Sequence, residues 1–290
     1  MADSLNKHSG ILRYIKSLRK KNTTVAKEVE NPIFVSCQKC KAINLESNLT
    51  AAFMVCPNCG HHLYLEPESR FTLLFDNGYT ELTAKANDIN PLNFPGYAAK
   101  RKAQNKPEAI RVVKGEIGGH ETIVICMDKD FFMGSMGSYV GEMVVLAFQT
   151  AIEEKLPVIA FSQSGGARMQ EGIIALMQMA KTAEIIGKFH QAGGFFLSCF
   201  TDPTTGGVSA SFASLGDFLI AEPNALICFS GPRVIRDTIK QELPKGFQRA
   251  EFLLKEGLLD DVVPRNEMKQ YIQTLLKFHA KKETGGNHVK

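Results

Sequence analysis

Two residue spacings in this 290-residue chain could do chemistry. The first is a pair of CxxC phrases, SCQKCKA and VCPNCGHH, which place Cys37, Cys40, Cys56 and Cys59 with fifteen residues between the pairs. Each CxxC turn can aim two thiolates at one ion, and two such turns complete a tetrahedral four-thiolate zinc site. Four free thiols or a redox pair would leave the doubling and the spacing unexplained. His61 and His62 follow the last cysteine, but four cysteines already saturate zinc, so neither is expected as a ligand. The second spacing occurs twice: an apolar run, a glycine pair, then a helix-like run. It reads IAFSQSGGARMQ around Gly165 and Gly166, and CFTDPTTGGVSASF around Gly206 and Gly207.

Glycine takes positive φ and admits close approach, so successive N–H groups can converge on one point. At a helix N-terminus those groups lack intrahelical acceptors, and the helix dipole adds positive potential. An anion or a developing oxyanion could be held there with no charged side chain. The alternative is a tight turn that serves only close packing, and for either site alone the residues do not choose. Neither site has the GxxxxGK[ST] spacing of a phosphate loop, the GxGxxG of a dinucleotide fold, or a GxSxG elbow that would make Ser164 or Ser209 a nucleophile. What remains is stabilisation of negative charge on oxygen, as in enolate or thioester chemistry.

The elements that must position these residues are legible in the texture of the chain. From about residue 111, strand-like runs (ETIVICMD, 121–128; LPVIAFSQ, 156–163; GGFFLSCF, 193–200; ALICFS, 225–230) alternate with helical patterns at 138–155 and 167–192. That alternation predicts an α/β domain with buried strands. Cys126, Cys199 and Cys228 sit inside apolar runs and read as core, as do Met169, Met177 and Met179 on the second helix. The expected organisation is a basic, flexible arm at 1–32, a zinc ribbon at 33–65, a helical or irregular connection at 66–110, the α/β domain at 111–275 and a flexible tail at 276–290.

Composition narrows the class. The chain is 44% hydrophobic and 22% charged, ordinary for a globular protein that buries a substantial core. Lys and Arg number 34 against 30 acidic residues, too small an excess to argue for nucleic acid or an anionic membrane. No apolar run approaches a membrane span and no signal-peptide core is present, so a cytoplasmic protein is expected. Its cysteines then read as thiols or metal ligands rather than disulfides.

The phrases CQKC…CPNCGHH, FFMGSMGSYVGE, FSQSGGARMQEG, LMQMAKT, TDPTTGGVSASFASLGD and GPRVI…LPKGFQRAEFLL together resemble the carboxyltransferase β-subunit family of bacterial-type acetyl-CoA carboxylase, over roughly residues 34–270. The resemblance implies a crotonase-like (ClpP/crotonase) α/β fold of repeated ββα units behind the ribbon. It implies transfer of CO2 from carboxybiotin on a carrier protein to acetyl-CoA, giving malonyl-CoA, the first committed step of fatty acid synthesis. It also implies a separate α subunit in an α2β2 assembly, biotin carboxyl carrier protein and biotin carboxylase as partners, and ATP binding by the enzyme. In that setting Gly206 and Gly207 would serve the thioester enolate, with Gly165 and Gly166 completing the acyl-CoA pocket. Arg168 and Arg233 are candidates for the CoA phosphates. Gln163 departs from the small residue the family pattern leads one to expect before SGGARMQ, which puts the first glycine pair in more doubt than the second.

Two other readings remain. A zinc-ribbon nucleic-acid-binding protein fits the basic first thirty residues, where seven Lys and Arg face three acidic residues, although between Cys37 and Cys59 only Lys39, Lys41 and Phe53 would serve such a surface. A thioester hydratase or hydrolase would need a carboxylate after a glycine loop, and Glu171 is the residue at hand.

Overall fold

In the computed structural model, residues 33–85, 90–104 and 106–280 are described. The expected basic arm at 1–32 and residues 281–290 of the expected tail lie outside them. The ribbon carries a short antiparallel pair, β1 (Phe34–Ser36) and β2 (Ile43–Leu45), followed by α1 (Glu46–Ala51). Its two cysteine turns are built alike. Lys41 N–H donates to Cys37 O and Gly60 N–H to Cys56 O, both at 2.9 Å. The residues that close the turns, Lys41 and Gly60, have φ of 62° and 67°.

Behind the ribbon come α2 (Pro67–Leu74), β3 (Tyr79–Leu82) and α3 (Tyr97–Lys102). Next are the hairpin β4 (Ile110–Ile117) and β5 (His120–Met127), α4 (Ser138–Glu154), β6 (Val158–Ser164) and α5 (Gly172–Gln191). The chain closes with β7 (Phe196–Thr205), the one-turn α6 (Gly206–Ser209), β8 (Phe218–Ala221), β9 (Ile227–Cys228), α7 (Pro232–Ile239), α8 (Ala250–Lys255), β10 (Asp261–Val262) and α9 (Met268–His279).

One sheet runs β10-β8-β7-β6-β5-β4-β3, with β9 pairing the far end of β7. The pairs from β10 to β5 are parallel, and the β5-β4-β3 edge is antiparallel. The central strands are largely apolar where both faces are covered. Ile123, Ile125, Val158, Ala160, Phe196 and Phe200 pack with α4 and α5 on one face. Their neighbours Val124, Cys126, Ile159, Phe161, Leu197 and Cys199 pack with α2 and α9 on the other. Period-two alternation thus divides each strand between two cores.

Two expected boundaries change. The stretch 66–110 is more than a connection, since β3 is the edge of the main sheet and Phe71 and Leu74 of α2 are core residues. Residues 276–280 also belong to the domain, because α9 continues to His279 and Leu276 is buried. Among the described residues no helix is long and apolar enough to cross a membrane.

The ribbon is fastened to the domain by a buried charge cluster. Glu222, just after β8, accepts from Arg70 of α2 at 2.8 Å and from both Nε and Nη2 of Arg265. Arg265 also reaches into the ribbon, donating to Phe53 O at 2.6 Å and Leu63 O at 3.2 Å. His62 faces the same carboxylate, its Nδ1 3.5 Å from Glu222, rather than joining the cysteines. Burial alone would raise the Glu222 carboxyl, but the two guanidiniums hold it well below the ordinary value of 4.5.

Removing one member of a buried ion cluster leaves the others desolvated and unpaired. Glu222→Gln is therefore expected to cost about 3–5 kcal/mol in denaturant unfolding. The folded-state pKa is depressed, so the stability Glu222 lends is full above the ordinary carboxylate range and is lost as pH falls through the folded value. Wild-type stability should decline in acid, and the Gln variant should show a shallower acid slope.

Candidate functional site

The two glycine pairs, forty residues apart in sequence, meet at the carboxyl ends of β6 and β7. A Cβ on Gly166 would stand 3.2 Å from Gly206 Cα and 3.3 Å from Gly207 N, and one on Gly206 would stand 3.0 Å from Gly166 Cα. Both residues have positive φ, 112° and 63°. No L side chain satisfies those contacts and those dihedrals together.

Hydroxyls on β7 hold the approach. Thr201 and Thr204 donate to Ser162 O at 2.8 and 2.7 Å, and Thr205 donates to Ser164 O at 3.2 Å. Between Ser162 and Ser164 the β6–β7 register shifts, with Gln163 at the irregularity. Its amide donates to Asp202 O at 2.8 Å, so the larger side chain braces the turn that leads to the second glycine pair.

An account of the N–H groups separates the four glycines. Gly165 donates to Met133 O at 2.8 Å, Gly166 to Ser164 Oγ at 3.0 Å and Gly206 to Phe229 O at 3.1 Å. These three donors are used inside the chain. Ala167 and Gly207 N–H make no hydrogen bond among the described residues. The bridge between Met136 and Ala167 explains the first. Met136 N–H donates to Gly166 O and Arg168 N–H to Met136 O, so the alternating backbone turns Ala167 N–H the other way. Gly207 is the second residue of a helical turn, where N–H groups have no intrahelical acceptor. The two spare donors lie on facing loops, since a Cβ on Gly207 would be 3.5 Å from Ala167 N.

The first glycine pair does not open a helix directly. A 3-10 turn at Met169–Glu171 intervenes and α5 begins at Gly172. Beneath the loop lies a polar network that sequence spacing does not reveal. Arg168 is 0% exposed. Its guanidinium donates to both oxygens of Glu108, to Ser135 O and, at 3.2 Å, to Tyr97 Oη. Burial would raise the Glu108 carboxyl, but the hydrogen bonds and charge of Arg168 hold it below its ordinary range. Arg168 is thus corrected from a CoA-phosphate candidate to a buried structural cation, with no face left for a phosphate.

Glu171 is likewise 0% exposed and accepts from Ser138 N–H and Oγ at 2.6 Å and from Tyr97 Oη at 2.8 Å. It is not a free carboxylate, which removes the residue that the hydratase reading requires. Arg233 is a different case. It sits on α7 with its side chain 89% exposed, 3.8 Å from Asp237.

In the ribbon, Cys37 Sγ is 3.7 Å from Cys59 Sγ and Cys40 Sγ is 3.8 Å from Cys56 Sγ, and all four sulfurs lie within 4.8 Å of one another. A tetrahedron with metal–sulfur bonds of about 2.3 Å has edges of about 3.8 Å. The cluster fits one tetrahedral ion.

Comparison with known proteins agrees with this geometry. Residues 88–248 match the carboxyl transferase domain family. The acetyl-coenzyme A carboxylase carboxyl transferase subunit beta of Carboxydothermus hydrogenoformans is 47% identical over 267 residues, covering 90% of this chain and 95% of that one. A Natranaerobius thermophilus protein named for subunits beta/alpha is 46% identical over 274 residues, covering 93% of this chain and 45% of that one. The solved structure of transcarboxylase 12S with hydrolysed methylmalonyl-coenzyme A bound superposes with a TM-score of 0.65 at 24% identity. This chain covers 41% of that chain's length, and 74% of this chain is matched. The fold is therefore the crotonase-like α/β fold of carboxyl transferases behind a four-cysteine ribbon. These likenesses favour carboxyl transfer over nucleic-acid binding, and none supports ATP binding by this chain.

The glycine geometry yields a graded expectation. Ala at 166 or 206 must adopt positive φ and push the facing loop away, at a cost of at least about 1–2 kcal/mol from the backbone alone. Gly165 has ordinary φ and its nearest neighbours would be 3.5 Å from a Cβ, so Gly165→Ala should be nearly neutral. Thermal unfolding of the three variants checks the order.

Proposed function

Because the chain belongs to the family of acetyl-CoA carboxylase carboxyl transferase β subunits, we propose that it contributes one half of an active site that carboxylates acetyl-CoA to malonyl-CoA. It is a subunit of a biotin-dependent carboxyltransferase. The observation that carries the proposal is the pair of spare backbone donors, Ala167 and Gly207 N–H, on loops held together by Gly166 and Gly206.

Carboxybiotin, brought by a carrier protein, would supply the CO2 and the base. The contribution of this chain is electrostatic. As the α-proton leaves acetyl-CoA, charge develops on the thioester oxygen, and Gly207 and Ala167 N–H are positioned to donate to it. Backbone donors do not titrate near neutral pH and need no reorganisation as charge builds. Gly165, Gly166 and Gly206 serve by allowing the loops to meet. Arg233, exposed beyond the second loop, is a candidate for the CoA phosphates.

A second oxyanion needs a second set of donors, which an α subunit would supply in an α2β2 assembly working with biotin carboxyl carrier protein and biotin carboxylase. Support for a covering subunit comes from large apolar side chains exposed around the loops: Met133, Ile173, Phe229, and Met169 and Met177, which lie on the surface rather than in the core expected for them. The Natranaerobius relative, named for both subunits, supports the same pairing. Zinc is the ion proposed for Cys37, Cys40, Cys56 and Cys59, where it would order the ribbon. A cytoplasmic location belongs to this reading.

The test is malonyl-CoA decarboxylation coupled to carboxylation of free biotin, with and without the α subunit. Turnover is expected only with both chains, and no turnover in a verified, zinc-loaded complex would sink the proposal. Gly207→Ala places a methyl 3.2 Å from Met179 Sδ and 3.5 Å from Ala167 N, crowding the space between the two loops. It should lower kcat about 100- to 1,000-fold in an intact complex. Elemental analysis should find one zinc per chain, and Cys59→Ser should lose it together with hydrogen-exchange protection at Phe53–Leu63.

A further inference from the structure

A cavity of about 410 Å3 opens at the other end of the sheet from the glycine loops. Its wall includes His120 at the start of β5, Pro157 just before β6 and Phe195 just before β7, whereas the glycines follow the opposite ends of β6 and β7. Nothing in the carboxyl-transfer geometry uses it. The volume falls in the range of small-molecule sites, about 300–1,000 Å3.

The chemistry of the walls is divided. Ile152, Leu156, Phe189 and Leu276 supply apolar surface, and Phe195 is covered on one side by the His279 ring, stacked at 3.8 Å with an interplanar angle of 8°. The ionisable residues among the lining are Lys155, Glu121, His120 and His279, with Lys155, Glu121 and His279 exposed. Glu121 lies 3.6 Å from Lys114, which answers its charge. Lys155 makes no ion pair among the described residues, and neither imidazole has a carboxylate partner there.

The C-terminal ends of α4 and α5 also approach the cavity and would weakly favour a cation. Lys155 is itself the C-terminal cap of α4, however, and Lys188 and His190 occupy the last turn of α5. The exposed ammonium of Lys155 at the rim of an apolar, aromatic-lined hollow is complementary to a molecule with an anionic head and a short hydrocarbon body.

We propose that this cavity is a second ligand site for a medium-chain monocarboxylate, with the hydrocarbon against Leu156, Phe189 and Leu276 and the carboxylate at Lys155. The site is separate from the carboxyl-transfer loops, so it stands or falls independently of them.

The probe is octanoate, titrated calorimetrically into the full chain, with octylammonium and butyrate as controls. Octanoate is expected to bind saturably at one per chain, and both controls at least tenfold more weakly. Lys155→Gln should weaken octanoate about tenfold, the equivalent of one charge-assisted contact. Ala192→Trp, which fills the cavity from its rim, should abolish binding. Both variants should keep the wild-type melting temperature and biotin-carboxylation rate. Absence of saturable binding at millimolar octanoate would overturn the proposal, as would equal affinity for octylammonium. Binding that is indifferent to Lys155→Gln or Ala192→Trp would also overturn it, by placing the ligand elsewhere.

Discussion

The site depends on two backbones approaching more closely than any pair of side-chain-bearing residues allows. A Cβ on Gly166 or Gly206 would stand 3.0–3.2 Å from the α-carbon of the other, and around that close approach the local irregularities make sense. The register of β6 against β7 shifts at Gln163, where continued regular pairing would hold the strands at ladder spacing. Threonine hydroxyls take over the binding of the loops where the ladder fails. Behind the first loop, Phe132, Met133 and Gly134 have successive positive φ values of 44°, 56° and 67°, which brings Met133 O to the Gly165 N–H. Each device absorbs a donor or acceptor that the close approach would otherwise leave unpaired, while the N–H groups of Ala167 and Gly207 keep no acceptor among the described residues.

The buried Arg168 network extends this support into the layer beneath. Arg168 follows Ala167 directly, so its guanidinium, fixed by Glu108, Tyr97 and Ser135, anchors the backbone whose N–H is spare. A buried ion pair of this kind adds little net stability. Its contribution is position, because a loop tied through every face of a guanidinium has few alternatives.

Much of this is legible in the sequence, and the failures have physical causes. The cysteine spacing announces the ribbon because metal geometry is local. Four strands, β5, β6, β7 and β9, and both long helices are readable from period, with α4 and β5 within a residue of the expected bounds, whereas β4, β8 and β10 are not among the expected strands. The glycine pairs are recognisable as backbone sites, but which N–H groups remain free depends on acceptors contributed by Met133, Phe229 and Ser164, and no local pattern encodes such partners. Arg168 misleads for a related reason. An arginine beside a glycine loop looks like an anion ligand until Glu108, sixty residues earlier, is seen to occupy it. The edge strand β3 escapes notice because its burial is partial and its sequence, YTEL, is short and half polar.

The attachment of the ribbon has a consequence of its own. Arg265 grips the ribbon through the carbonyls of Phe53 and Leu63, groups that every amino acid possesses. Among the described ribbon residues, His62 brings a side chain to the cluster itself. Beside the cluster Tyr64 donates to Asp128 at 2.6 Å and accepts from Lys106 at 3.0 Å, so the joint recognises the path of the ribbon's main chain together with the side chains of His62 and Tyr64. A ribbon of different composition that keeps the knuckle geometry, His62 and Tyr64 could be exchanged at this joint, leaving its outer face free to diverge while the catalytic domain stays unchanged.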